Sequence, residues 1–226
     1  LALGDYSIAM GLSTTASGTT STAMGSGTTA SGNRSTAMGL NTTASALYST
    51  AMGLSTQASG SASTAMGRLT EATGTSSTAI GYDTEANGSF STSMGYDTEA
   101  SGQSSTAMGS ETVASGSSST SMGVGTEAIG DFSIAMGLNL IASGNVSTAM
   151  GNSTEARGFA SLAIGQYNVI NNGDSTTVYA ATSTAFSIGN GTGNASRSNA
   201  LSVLFNGNMT AGSVIATSLE VERPDS

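Results

Sequence analysis

A five-residue motif, Ser-x-Ala-x-Gly, recurs every 14 residues over three quarters of this 226-residue chain. Its serine stands first at Ser7 and last at Ser161, which makes twelve copies, and a glycine follows each serine four residues later. A period of 14 is too short for two helices and a turn, but it suits two short strands and two turns. Each internal glycine also costs a helix about 1 kcal/mol relative to alanine. The spacing therefore predicts an all-β solenoid, a β-roll in which each repeat forms one coil.

Strand alternation assigns the side chains of the motif to two faces. In the copy that starts at Ser21, we expect Ala23 to point into the coil and Thr22 and Met24 to point out of it. Coils stacked at about 4.8 Å turn each position into a column along a rod of roughly 60 Å. The third position is alanine in ten copies and serine in two, which predicts a very narrow interior.

The fourth motif position is methionine in ten of the twelve copies. An outward stripe of methionine and threonine left in water would be an unusually long apolar patch, so we expect several copies of the chain to bury it around a shared axis. The alternative is a monomeric solenoid with a wider core that methionine lines. The predicted interface residues are Met10, Met24, Met38, Met52, Met66, Ile80, Met94, Met108, Met122, Met136, Met150 and Ile164.

The composition argues against several classes of function. The chain has no cysteine, histidine or lysine, so imidazole bases, thiolate ligands and phosphate-loop lysines are missing, and we expect neither an enzyme nor a bound cofactor. Nine of its acidic residues lie between residues 71 and 155 with no arginine among them, which argues against nucleic-acid binding. No run of 18 apolar residues exists, so we expect no membrane insertion in this segment.

Two polar ladders suggest further hypotheses. Carboxylates recur at one repeat position and again two residues earlier, so a cation such as Ca²⁺ could bridge neighbouring coils, or the carboxylates could simply stay hydrated. A threonine column from Thr14 to Thr154 resembles the ice-binding ladders of some flat solenoids, although threonine is also a good strand former. The two acidic sets are Glu71, Glu85, Glu99, Glu127 and Glu155, and Asp83, Asp97 and Glu111.

The chain also contains eight Asn-x-Ser/Thr triplets, which are acceptors for N-linked glycans in a secretory setting. Such triplets arise by chance in a chain this rich in serine and threonine. The candidate acceptors are Asn33, Asn41, Asn87, Asn145, Asn152, Asn190, Asn194 and Asn208.

The repeat Ser-Thr-Ala-Met-Gly followed by Ala-x-Gly resembles the head repeat of the trimeric autotransporter adhesins, the YadA-like head, over residues 1–172. The resemblance implies a homotrimer of left-handed parallel β-rolls in which the second and fourth motif residues, such as Thr22 and Met24, meet near the three-fold axis. Leu1 falls within a repeat, because Ala2 and Gly4 match the phase of later coils, so the chain looks like a piece of a longer one.

Residues 173–226 are expected to form a β-rich extension that caps the repeats or links them to something else. Residues 183–191 open like one more repeat, and residues 197–208 predict a strand and a tight turn at Asn206-Gly207. This part is similar to segments that follow YadA-like repeats in phage and viral fibre proteins.

Two functions follow from these expectations. The first is a trimeric adhesin or fibre head, displayed outside a cell or on a virion, that attaches to a host surface or matrix protein by repeated weak contacts. Matrix proteins such as collagen are implied as partners by the resemblance alone. The alternative is a shaft or spacer of an extracellular filament or viral fibre that binds nothing, because a surface of Ser, Thr, Asn and Gly has no cluster of aromatic or Arg anchors.

Overall fold

The structure is a computed structural model that describes residues 1–212. Within those residues it contains strands and turns and no helix. The strands are β1 (Ile8–Leu12), β2 (Thr15–Ala16), β3 (Thr22–Ser26), β4 (Thr29–Ala30), β5 (Thr36–Leu40), β6 (Thr43–Ala44), β7 (Thr50–Leu54), β8 (Gln57–Ala58), β9 (Thr64–Arg68), β10 (Glu71–Ala72), β11 (Thr78–Ala86), β12 (Thr92–Ala100), β13 (Thr106–Ser110), β14 (Val113–Ala114), β15 (Thr120–Val124), β16 (Glu127–Ala128), β17 (Ile134–Leu138), β18 (Ile141–Ala142), β19 (Thr148–Asn152), β20 (Glu155–Ala156), β21 (Leu162–Gln166), β22 (Thr184–Asn190), β23 (Asn199–Leu204) and β24 (Met209–Ala211).

Each 14-residue repeat forms one coil with two strands and two corners. A five-residue long strand leads through a first corner into a two-residue short strand, and a second corner leads to the next long strand; β11 and β12 run through their first corner without a break. Each corner holds one residue in the left-handed region, for example Asn41 (φ 55°) at a first corner and Thr20 (φ 56°) at a second. This reversal of backbone twist lets so short a coil close.

Successive coils pair as parallel strands in perfect register. β3 pairs with β5 through Thr22↔Thr36, Ala23↔Ala37 and Met24↔Met38, and the short strands form a second parallel ladder, as between β4 and β6. Like residues therefore stack on like residues along the whole roll. The all-β solenoid of 14-residue coils predicted from the spacing is confirmed.

The core of the roll is built from alanine together with buried serine and threonine side chains. Alanines of both strands, such as Ala23 and Ala30, are fully buried, and the only larger apolar side chain in these clusters is Leu140. Where serine replaces the third-position alanine, its hydroxyl is satisfied inside the same coil: Ser93 Oγ lies 2.8 Å from Thr98 O and 2.7 Å from Thr98 Oγ1. The narrow interior predicted from the alanine column is therefore present.

The motif glycine is required both by its backbone conformation and by the closeness of the next coil. Gly109 has a φ of +131°, and a Cβ placed on it would lie 2.0 Å from the carbonyl oxygen of Gly123 in the following coil. A second glycine stands at the second corner of most coils and is equally crowded; Ala46 takes its place once. There the amide of residue 46 donates to Ser49 Oγ at 3.2 Å, whereas the equivalent Gly60 amide donates to the carbonyl of Ala72.

The parallel ladder continues past the twelfth motif and then reverses. Gly165 of β21 pairs with Gly189 of β22, 24 residues on instead of 14, so Ala185 and not Ser183 takes the place of the motif serine. β23 then pairs antiparallel with β22, and β24 with β23. The predicted strand and the turn at Asn206-Gly207 are both present, with the Gly207 amide donating to the Leu204 carbonyl.

The last short strand is closed by a side chain. Asn168 Oδ1 accepts from the Glu155 amide at 2.8 Å, and Asn168 Nδ2 donates to the Glu155 carbonyl at 2.9 Å. The amide group thus takes the place of a further coil. The division of the chain after residue 172 and the left-handed sense of the roll stay predictions, and the part of the predicted extension from 213 to 226 lies outside the described residues.

Candidate trimer interface

The outward side of the long strands carries the second and fourth motif residues; we call this side, from Ile8 and Met10 to Leu162 and Ile164, the methionine face. From β3 to β21 the first three residues of each long strand alternate between accessible and buried, so that Thr22 and Met24 are half-exposed while Ala23 between them is buried. In the single chain every fourth-position residue is half-buried or exposed. The prediction that these side chains point out of the coil is confirmed.

The methionine face is continuous along the roll. Met10 pairs with Met24 and Met24 with Met38, and the column ends with Met150 beside Ile164. β22 extends it by one more coil, since Ile188 pairs with Ile164. The second and fourth motif positions carry no charged residue in any of the twelve copies, so burial of this face would desolvate no ion.

The alternative of a wider core lined by methionine is wrong. The buried clusters of residues 1–212 consist of alanine and Leu140 and include no methionine. The coil is too thin to enclose a column of thioether chains, because its two strands are separated by alanine, serine and threonine side chains, with Leu140 as the one larger residue among those described. In the isolated chain, then, the methionine face has no partner.

A family model described as the YadA head domain repeat (2 copies) matches the chain eight times. The matches are staggered by whole coils and together cover more than half of the chain: residues 2–28, 16–42, 30–56, 44–70, 72–98, 86–112, 100–126 and 114–139. The chain belongs to the YadA head family. Heads of this family are trimeric and typically non-enzymatic, and the family implies a surface-exposed adhesin. A comparison with curated proteins finds no match.

The threonine ladder of this YadA head does not face solvent. Residues from Thr14 to Thr154 in that column are buried, with exposed fractions of 4% at most. The ice-binding hypothesis, which needs an accessible threonine face, is therefore wrong. Threonine follows the left-handed residue of the first corner, and that turn points its side chain into the coil opposite the alanine of the long strand.

The carboxylates lie away from the methionine face. Glu71, Glu85 and Glu99 stack in register on the outward side of the short strands, while Asp83 and Asp97 occupy left-handed first-corner positions (φ 53° and 51°). Asp tolerates that conformation better than most residues, which accounts for Asp83 and Asp97 without a ligand. Within the part of the chain that the structure describes, no group of three acidic side chains is arranged to hold a metal ion.

The eight candidate glycan acceptors are all accessible to some degree. Six are exposed, and Asn145 and Asn152 are half-buried. Several serve locally, as Asn33 Oδ1 does when it accepts from the amide of Thr19 at 3.0 Å. Modification of these residues stays a prediction. Among residues 1–212, no helix has the length and apolar character needed to cross a bilayer.

Sequence reasoning missed a set of exposed aromatic residues at the second corners. Tyr6, Tyr48, Phe90 and Phe132 are 88%, 51%, 59% and 62% exposed. They lie 42 residues apart, which is three coils. A search for periods longer than 14 would have found them.

Proposed function

We propose that three copies of this chain bury their methionine faces against one another, with the predicted interface residues from Met10 to Ile164 along the shared axis, and that the resulting rod is an extracellular or surface-displayed adhesin head. The observation that carries the proposal is the continuous, uncharged methionine face outside a core made of alanine. Removing so long an apolar stripe from water favours association, since burial of one Met side chain contributes about 1.5–3 kcal/mol. The glutamates of the short strands, such as Glu71 and Glu85, lie on the other side of the coil, where assembly would leave them hydrated.

Attachment would then be multivalent. Three chains would present three equivalent outer surfaces, each with eleven stacked short-strand segments, so weak contacts to a host cell or matrix protein would act together. Small polar side chains such as Thr15 and Thr29 cover the first coils of this surface, and stacked carboxylates such as Glu85 and Glu99 cover several of the later ones. The same observation supports the second candidate, a shaft or spacer, because a surface without clustered anchors is poorly suited to tight binding.

The assembly is tested by substitution on the two sides of the same coils. Met38→Lys combined with Met52→Lys places two charges per chain in the proposed axial seam, whereas Thr43→Lys combined with Gln57→Lys places them on the short strands. We expect the native chain and the second variant to have three times the 22.0 kDa chain mass in light scattering, and the first variant to be monomeric with an unchanged β circular dichroism spectrum. A native monomer, or a trimeric Met38/Met52 variant, would refute the proposed interface.

Adhesion is tested separately on the intact trimer. Saturable retention of cultured cells or of an immobilised matrix protein supports the adhesin. Retention no greater than that of an uncoated surface supports the spacer.

A further inference from the structure

The exposed aromatics of the second corners have counterparts at the other end of the long strand. These counterparts stand immediately before the left-handed residue of the first corner, and we call their column the first-corner column. Six residues after each aromatic, at the far end of the same long strand, stands a large side chain: Leu12 after Tyr6, Leu54 after Tyr48, Tyr96 after Phe90 and Leu138 after Phe132. Leu12, Tyr96 and Leu138 are 73%, 53% and 42% exposed, and Leu54 is half-buried. Every third coil therefore has a large side chain at both ends of the methionine face.

The aromatic residues of the second corners occupy a backbone conformation that is unfavourable for large side chains. Phe90 and Phe132 have φ values of 61° and 58°, a conformation that bulky residues avoid. In the coils between them the same position holds Ser104 and Ser118. A strained, exposed aromatic side chain that returns at a fixed interval points to a selected contact.

The two ends of one methionine face cannot meet within one chain. Six residues of extended strand separate Phe90 from Tyr96, which is roughly 20 Å. In a closed ring of three copies, each face forms one side of a triangle, and the first corner of one copy adjoins the second corner of the next. Rotation about the axis involves no shift along it, so these corners meet at the same height.

We infer that Tyr6, Tyr48, Phe90 and Phe132 pack against the first-corner residues of the same coil in a neighbouring copy, and that these contacts fix the axial register of the three chains. The inference rests on the proposed trimer. The methionine face cannot fix the register, because a slip by one coil, about 4.8 Å, would again place methionine against methionine.

The first-corner column, unlike the methionine face, changes from coil to coil and can therefore distinguish one register from another. Its large side chains come in adjacent pairs, Leu40 with Leu54, Tyr82 with Tyr96 and Val124 with Leu138, and a polar residue follows each pair one coil later. The middle pair is a stacked platform, with Tyr82 and Tyr96 ring centroids 5.2 Å apart and their planes at 9°. The residues that follow the pairs are Arg68, Ser110 and Asn152.

A slipped chain in such a ring is disfavoured whichever way it moves. Offsets around a closed ring must sum to zero, so a chain that rises against one neighbour falls against the other. One of its two sides then brings aromatic residues opposite small or amide side chains, for example Phe90 opposite Ser110 or Phe132 opposite Asn152. Only in the unshifted register does each of the twelve aromatic side chains of the trimer lie opposite a large first-corner side chain of the neighbouring copy.

Double-mutant cycles on the full chain test the contact. The matched pairs are Phe90→Ala with Tyr96→Ala and Phe132→Ala with Leu138→Ala; the crossed pairs combine the same four substitutions as Phe90 with Leu138 and Phe132 with Tyr96. Residues in contact give non-additive effects, whereas distant residues give additive ones. We expect the fall in melting temperature for each matched double variant to be clearly smaller than the sum of its two single falls, and the crossed pairs to be additive.

Equal additivity in matched and crossed pairs would overturn the inference. The molar mass of the native chain and of each single variant is measured in the same samples. A monomeric native chain would refute the proposed trimer itself, whereas a trimer with additive matched pairs would refute only the corner contacts. Because the substituted side chains lie on the surface of a coil whose core is alanine, the variants are expected to fold.

Discussion

Replacing Gly109 by alanine should destabilise the middle of the roll. The new Cβ would lie 2.0 Å from the carbonyl oxygen of Gly123 and 2.9 Å from its carbonyl carbon. These are backbone atoms of the next coil, so no side-chain rotation can relieve the contact. The backbone of residue 109, at φ +131°, is also one that an L-residue rarely adopts.

The size of the effect follows from the same geometry. Ordinary contact at 3.4 Å requires β13 and β15 to separate by about 1.4 Å, which weakens a ladder that runs from Thr106↔Thr120 to Ser110↔Val124. Loss of two backbone hydrogen bonds between these strands costs about 2 kcal/mol, and the strained backbone of residue 109 costs about 1–3 kcal/mol. A total near 4 kcal/mol corresponds to a fall of roughly 8–16 °C in melting temperature for a chain of this size.

Thermal unfolding followed by circular dichroism, with hydrogen exchange over residues 106–124, measures this effect. Ser110→Ala in the same strand is the matched control, and it should melt close to the native chain because its side chain is half-buried and outward. Exchange should quicken around the substituted coil and stay slow over residues 22–40. If Gly109→Ala melts within about 2 °C of Ser110→Ala, a difference of at most about 1 kcal/mol, the close approach of the coils does not require glycine at residue 109.

Three smaller changes test other contacts of the roll. Ser93→Ala removes the hydroxyl that bonds Thr98 and should lower the free energy of unfolding by about 1 kcal/mol in urea titration; an unchanged value would mean that this buried bond contributes nothing. Glu85→Gln relieves repulsion in a stacked carboxylate column and should raise the melting temperature slightly, while the rise of that temperature with added salt becomes smaller; an undiminished salt response would place the repulsion elsewhere. Ala46→Gly should let the residue 46 amide bond to the Ala58 carbonyl, as its counterparts do, so exchange of that amide should slow, and an unchanged rate would show that the alanine does not displace the bond.

The period of 14 was enough to predict the coil. Strand alternation was enough to predict which side chains of one long strand point inward and which point outward. Ala23 lies inside and Met24 outside because consecutive residues of a strand point to opposite faces. Alternation does not carry across a corner, since a left-handed residue such as Asn41 resets the phase. For that reason the sequence could align the threonine column from Thr14 but could not tell that it faces inward.

Two other features depend on geometry that no short motif encodes. The register of β22 follows from a connection ten residues longer than usual, so Ser183 resembles a motif serine while Ala185 stands in its place. The corner aromatics escape a search for 14-residue repeats because they differ between neighbouring coils. Their meaning appears only when the two ends of one long strand, such as Phe90 and Tyr96, are considered together.

The reversal of direction at β23 has a consequence for how these rods behave at high concentration. A stack of parallel coils offers at its edge a template that another molecule could extend, as growing fibrils do. β23 covers that edge of the long-strand ladder with an antiparallel partner, whose hydrogen-bond spacing does not match that of a parallel coil. The strand that follows, β24, is only three residues long. At this edge the ladder of long strands therefore offers no site at which a further parallel coil, from this chain or from another molecule, could be added.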